Sequence, residues 1–108
     1  MVYSIDEIKR AVAPVAEKYS IPVVYLFGSY ARGEASADSD VDLLIECRGS
    51  SIKGLFDLGA VYNDLNMKLG KNIDLLTTDS VDQPEAKRRA PWIADNIERD
   101  KVVLYERS

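Results

Sequence analysis

The stretch Gly28-Ser29-Tyr30-Ala31-Arg32-Gly33-Glu34-Ala35-Ser36-Ala37-Asp38-Ser39-Asp40-Val41-Asp42 decides the reading of this chain, because it joins a glycine-serine turn to two carboxylates one residue apart. An apolar run at residues 21–27 leads in, and Leu43, Leu44 and Ile45 lead out, so the loop is expected to hang between two buried strands. In a strand over residues 40–46, side chains alternate faces. Asp40 and Asp42 then share one side, about 7 Å apart at the backbone, while Val41 and Leu43 face the core. The pattern reads as a place to hold a metal-bound triphosphate. Gly28 lets the main chain approach a phosphate, and the Ser29 hydroxyl and nearby amides can donate to it, especially if Tyr30 opens a short helix.

A third acid, Asp74, stands in Lys71-Asn72-Ile73-Asp74-Leu75-Leu76. If that segment is a neighbouring strand with the same facing, three carboxylates converge. Their repulsion is about 4 kcal/mol per pair at 4 Å with an effective dielectric near 20, so the cluster calls for cations or a shared proton. Magnesium suits an all-oxygen set. The plainer alternatives are a solvated strand start for the two acids and an ordinary strand-ending turn for Gly28-Ser29. Two other loop motifs fail on their key residues. An EF-hand read from Asp38, Asp40 and Asp42 has Leu43 at its glycine position and Gly49 at its glutamate position, and a Walker A loop read from Gly28 to Gly33 continues with Glu34 and Ala35 in place of Lys and Ser or Thr.

The rest of the chain supplies a frame for this loop. Ser4 with Glu7 forms a capping box, and Ile5, Ile8, Val12, Val15 and Tyr19 recur at helical spacing, with Pro14 expected to kink or restart that helix. Leu55, Leu58, Tyr62, Leu65 and Leu69 mark a second helix stopped at Gly70. Residues 72–77 read as a strand, 78–84 as a loop, 85–99 as a helix strained at Pro91, and 102–105 as a last strand. The expected class is α/β (α+β), a mixed sheet of about four strands with helices packed on it, in a single domain over residues 1–108.

Composition narrows the chemistry. With 46% hydrophobic and 30% charged residues the chain is globular in character, and its formal charge of −4 argues against wrapping long nucleic acid. Histidine is absent and Cys47 is the sole cysteine, so His-based triads, the usual zinc sites and an internal disulfide are excluded. No apolar run approaches the ~20 residues of a membrane span, and Asp6 and Glu7 interrupt the N-terminus where a signal peptide stays apolar, so a cytoplasmic location is expected. Trp92 and Tyr105 read as core or edge packing, Cys47 as a small buried residue, and Lys87-Arg88-Arg89 as the solvated face of a helix or a contact for an acceptor or RNA. Arg32 reads either as a phosphate neutraliser or as an exposed arginine beside Glu34.

Gly28-Ser29, Ala31-Arg32-Gly33 and Ser39-Asp40-Val41-Asp42-Leu43 resemble the signature of the minimal nucleotidyltransferases, small members of the DNA polymerase β-like superfamily. Leu26-Phe27, Asn72-Ile73-Asp74-Leu75 and Val102-Val103-Leu104-Tyr105 extend the likeness over nearly the whole chain. The resemblance implies a nucleotidyltransferase fold in which Gly28 and Ser29 bind the triphosphate of ATP, with Arg32 and Ser39 beside them. It further implies that Asp40 and Asp42 bridge two Mg²⁺ ions and that Asp74 completes the metal site near the attacking hydroxyl. Chains like this are often paired with a HEPN ribonuclease toxin. In MntA-like antitoxins the resemblance implies transfer of AMP to a tyrosine of that toxin, and the oligomeric state, homo- or hetero-oligomer, stays open. Two other readings stay open: a non-catalytic antitoxin that masks its partner, and a nucleotidyltransferase acting on a small molecule or RNA.

Overall fold

The computed structural model describes residues 2–107. Helix α1 (Ile5–Lys18) starts at the expected box, where the Ser4 hydroxyl accepts from the Glu7 amide at 3.1 Å and the Glu7 carboxylate accepts from the Ser4 amide at 2.9 Å. It buries Ile8, Val12, Val15 and Ala16 and runs unbroken through Pro14, so no new helix starts there. Strand β1 (Val23–Phe27) ends at Gly28, where the short helix α2 (Gly28–Arg32) begins. Strand β2 (Val41–Ile45) follows the loop, then α3 (Leu55–Leu69) and β3 (Ile73–Thr77). Three helices, α4 (Thr78–Val81), α5 (Pro84–Arg89) and α6 (Pro91–Asp100), lead to β4 (Val102–Glu106).

The strands form one mixed sheet in the order β3-β2-β1-β4. β1 pairs antiparallel with both β2 and β4, whereas β2 and β3 run parallel, so the link between them must cross over, and α3 is that crossover. Alternation then sorts the side chains into two faces. Val24, Leu26, Val41, Leu43, Ile45 and Leu104 are buried beneath α1 and α3, where they meet Ile8, Val12, Val61, Leu65 and Leu69. Each such side chain contributes roughly 1.5–3 kcal/mol by leaving water, so this layer holds the fold. On the opposite face Asp42 and Leu44 of β2 stand beside Asp74 and Leu76 of β3, and α4 to α6 return over it to bring Val81, Ala86, Ala90 and Ile93 around Leu76.

Three expectations about the helices change. The α3 core face is Leu58, Val61, Leu65 and Leu69, while Leu55 and Phe56 at its first turn are 86% and 97% exposed. The stretch 78–84 is not wholly loop, because the Thr77 hydroxyl accepts from the Ser80 amide at 3.1 Å and caps the single turn α4. The helix expected over 85–99 is two. Ala90 takes φ −144° and ψ 70°, since Pro91 offers no N–H and crowds its predecessor out of the helical region; α5 and α6 each start with a proline in the first turn instead.

Candidate active site

Register places the acids. Asp42 lies opposite Phe27 of β1 on one side and Asp74 of β3 on the other, and cross-strand partners point to the same face. The facing expected for Asp74 is therefore present. Asp40 differs from expectation, because the ladder opens with the Val41 amide donating to the Asn72 carbonyl at 3.1 Å. That leaves Asp40 just outside the strand and exposed, at the lip of the site. The pKa of the Asp42 carboxyl is pushed up to about 6, by burial first, then by repulsion from Asp74 and Asp40, with Arg32 pulling the other way.

A carboxyl that holds its proton this far above the usual range is one that a cation would stabilise. Three aspartates offering only hard oxygen donors suit magnesium. Among the described residues no three acids close around one point, and the set lies spread along the strand ends.

Gly28 forms the wall against which Asp42 rests. Its φ is +74°, and a Cβ built on it would lie 2.0 Å from the Asp42 Oδ2, so both the backbone conformation and the packing require glycine. Ser29 follows in the first turn of α2, and its carbonyl accepts from the Glu34 amide at 2.9 Å. Tyr30 anchors α2 in the core, and Gly33 ends it at φ +74°. Ser39 shapes the loop: its hydroxyl accepts from the Ser36 amide at 2.9 Å while its own amide donates to the Ser36 carbonyl.

Arg32 is more tied down than either sequence reading allows. It donates through Nε to Glu34 and through Nη1 to Asp100, both at 2.9 Å, and the Asp100 side chain is 9% exposed. The pairing, with Asp100 the larger influence, raises the guanidinium's pKa and braces α2 against the end of α6. Asp100 is 68 residues away in sequence, and no local spacing announces it.

Recesses flank the acids. Between α2 and α6 lies a cleft of about 220 Å³, lined by Gly28 and Arg32 on one side and by Trp92, Ile93, Asn96 and Asp100 on the other. Trp92 is 59% exposed there, so of the two packing positions expected for it, the core is excluded. Beyond Asp40 lies a polar recess of about 380 Å³ lined by Asp38, Ser39, Asn66, Lys71 and Asn72. A larger recess, about 450 Å³, lies between α1 and α3 at Val15, Asp64 and Met67, on the helical side of the sheet, and contains none of the candidate residues. Lys87, Arg88 and Arg89 lie in the last turn of α5, on the outside of the molecule. Cys47 is half-buried against the core, and burial pushes its thiol up.

The sequence family described as polymerase beta, nucleotidyltransferase, matches residues 10–108. This chain belongs to the polymerase β nucleotidyltransferase family. A protein of Methanocaldococcus jannaschii named as a candidate protein adenylyltransferase is 40% identical over 78 residues, covering 72% of this chain and 82% of its own length. The protein adenylyltransferase MntA of Thermococcus cleftensis is 35% identical over 71 residues, covering 66% and 70%. Among solved structures, a toxin–antitoxin complex with AMP-PNP superposes with a TM-score of 0.69 at 16% identity, over 93% of this chain and 74% of that one. An MNT antitoxin in complex with a tri-AMPylated Shewanella oneidensis HEPN toxin gives 0.62 at 14% identity, over 93% and 71%. At these identities the structural likeness is one of fold. The nucleotidyltransferase is thus an enzyme of a family that uses a nucleoside triphosphate with a divalent metal.

Proposed function

We propose that this nucleotidyltransferase moves AMP from ATP to a hydroxyl of a partner protein, a tyrosine of a HEPN-type ribonuclease toxin, and so acts as its antitoxin. The observation that carries the reading is the register of Asp42 with Asp74, with Asp40 at the lip and Gly28 packed on the Asp42 carboxylate. The names of the sequence relatives support the reaction, and the toxin–antitoxin neighbours support the partner. The reading takes residues 1–108 as one domain working in the cytoplasm.

Asp40 and Asp42 would hold two Mg²⁺ ions, with Asp74 completing the set. Bound magnesium supplies neutralisation of the triphosphate and acidification of the acceptor hydroxyl. The chain's own residues do the rest. Gly28 and Ser29 present main-chain amides and a hydroxyl to the phosphates, Arg32, held by Glu34 and Asp100, keeps α2 in place for them, and Ser39 keeps the loop closed next to Asp40. Asp74 orients the acceptor hydroxyl and takes its proton as the new oxygen–phosphorus bond forms and the bond to pyrophosphate breaks.

The test is intact-mass spectrometry of the partner toxin after incubation with this protein, Mg²⁺ and ATP. A gain of one or more AMP is expected, lost with Asp40→Ala/Asp42→Ala. A double variant that still neutralises the toxin would replace this reading with masking, and transfer to RNA or a small molecule but not to the toxin would move the acceptor.

A further inference from the structure

We propose that the cleft between α2 and α6 receives the nucleobase of the nucleotide, with Trp92 as the stacking face and Asn96 reading the edge of an adenine. The inference rests on the nucleotidyltransferase reading and adds to it the part of the site that selects the base.

Continuity comes first. Gly28 lines this cleft and also touches the Asp42 carboxylate, so the space begins where the phosphates are held. Size comes next. A cleft of about 220 Å³ has room for a flat double ring. The lining has the right chemistry. Pro91 starts α6 in a fixed direction, and Ile97 is buried and seats it. Trp92 and Asn96, four residues apart, stand on one side of the helix, beside Ile93.

An indole left 59% exposed at the mouth of a cleft is apolar area without a protein partner, and a base is the flat apolar surface that the reaction itself brings. Arg99 donates to the Asn96 Oδ1 at 2.6 Å, which fixes the carboxamide. That oxygen keeps a second lone pair for an exocyclic amine, and the carboxamide NH₂ can donate to a ring nitrogen, the pairing with which asparagine reads adenine. The recess on the other flank suits a base poorly, being lined by Asp38, Asp40, Lys71 and other polar side chains with no ring among them.

Trp92 is the sole tryptophan, so its fluorescence reports on this cleft alone. The experiment titrates the full chain, in Mg²⁺, with ATP, GTP and inorganic tripolyphosphate, following heat and tryptophan emission together. ATP is expected to bind and shift the emission, whereas tripolyphosphate binds without shifting it. Trp92→Ala should weaken ATP about ten-fold or more and leave tripolyphosphate unchanged, and Trp92→Phe should restore most of the loss. Asn96→Ala should narrow the ATP over GTP preference. Circular dichroism of each variant checks the fold, and the wild-type emission needs no variant at all. ATP that binds by heat without moving Trp92, with the Trp92→Ala affinity unchanged, overturns the base site and leaves the enzyme reading standing. Failure of both ATP and tripolyphosphate to bind overturns the two together.

Discussion

Replacing Asp42 by asparagine should make the metal-free protein more stable and at the same time inactive. The Asp42 carboxyl titrates at about 6 when folded, against an ordinary value of 3.8. Between those two pH values the folded chain keeps a proton that the unfolded chain has lost. Through this group the folded state binds more protons in that window, and the contribution of Asp42 to stability falls as pH rises through it, with the full cost in place above about pH 6. The difference in pKa converts to at most about 3 kcal/mol, and because the group is half-exposed, solvent screening leaves about 1 kcal/mol.

Asp42→Asn keeps the shape against Gly28 and removes the ionisation. In EDTA its melting temperature should exceed the wild type's by about 4–8 °C at about pH 7.5, and by only a fraction of that at about pH 4, where both side chains are mostly neutral. Magnesium should raise the wild type and close the gap. Scanning fluorimetry at the two pH values, with and without Mg²⁺, reads all of this, and transfer activity should vanish in the variant. A gain that is equal at both pH values would refute the argument. It would mean that burial and the repulsion from Asp74 and Asp40 do not load Asp42.

Gly28→Ala forces a side chain into the left-handed region at a cost of roughly 1–2 kcal/mol and displaces the Asp42 carboxylate, so transfer should fall by about a hundred-fold while circular dichroism still reports a folded chain. Tyr30→Phe removes a buried hydroxyl that has no hydrogen-bond partner among the described residues, and should raise stability by up to about 1 kcal/mol in urea titrations. Pro14→Ala restores an N–H in the middle of α1, and should add about 1–2 kcal/mol after the greater freedom of its unfolded chain is allowed for.

Legibility in the sequence follows the range of the interactions. Ser4 and Glu7 announce α1 because the capping box closes within three residues, and Gly70 announces the end of α3 because it takes a φ of +63° there. The facing of Asp74 is legible as a condition, since a period of two fixes a face once a strand is assumed; that the strand is β3, in parallel register beside β2, is a property of the sheet. Local pattern puts Asp40 in a strand that starts one residue later, and the pairing that sets this start comes from Asn72, far along the chain. The Arg32–Asp100 pair, the exposure of Trp92 and the position of β4 beside β1 all depend on how α6 returns across the sheet. Pro91 reads as strain inside one helix, and the chain instead ends α5 at Arg89 and starts α6 at Pro91, where its missing N–H costs nothing.

Asp42 and Asp74 hang from hydrogen-bonded rungs near the start of two adjacent strands, and Gly28 sits where a third strand leaves off. The reactive groups thus draw their rigidity from the ladder itself. The exposed turn at 82–83 and the outer face of α5 lie outside that ladder, and their side chains can be rewritten without unseating the acids. One scaffold of this kind can therefore be fitted to new acceptors by editing its rim alone.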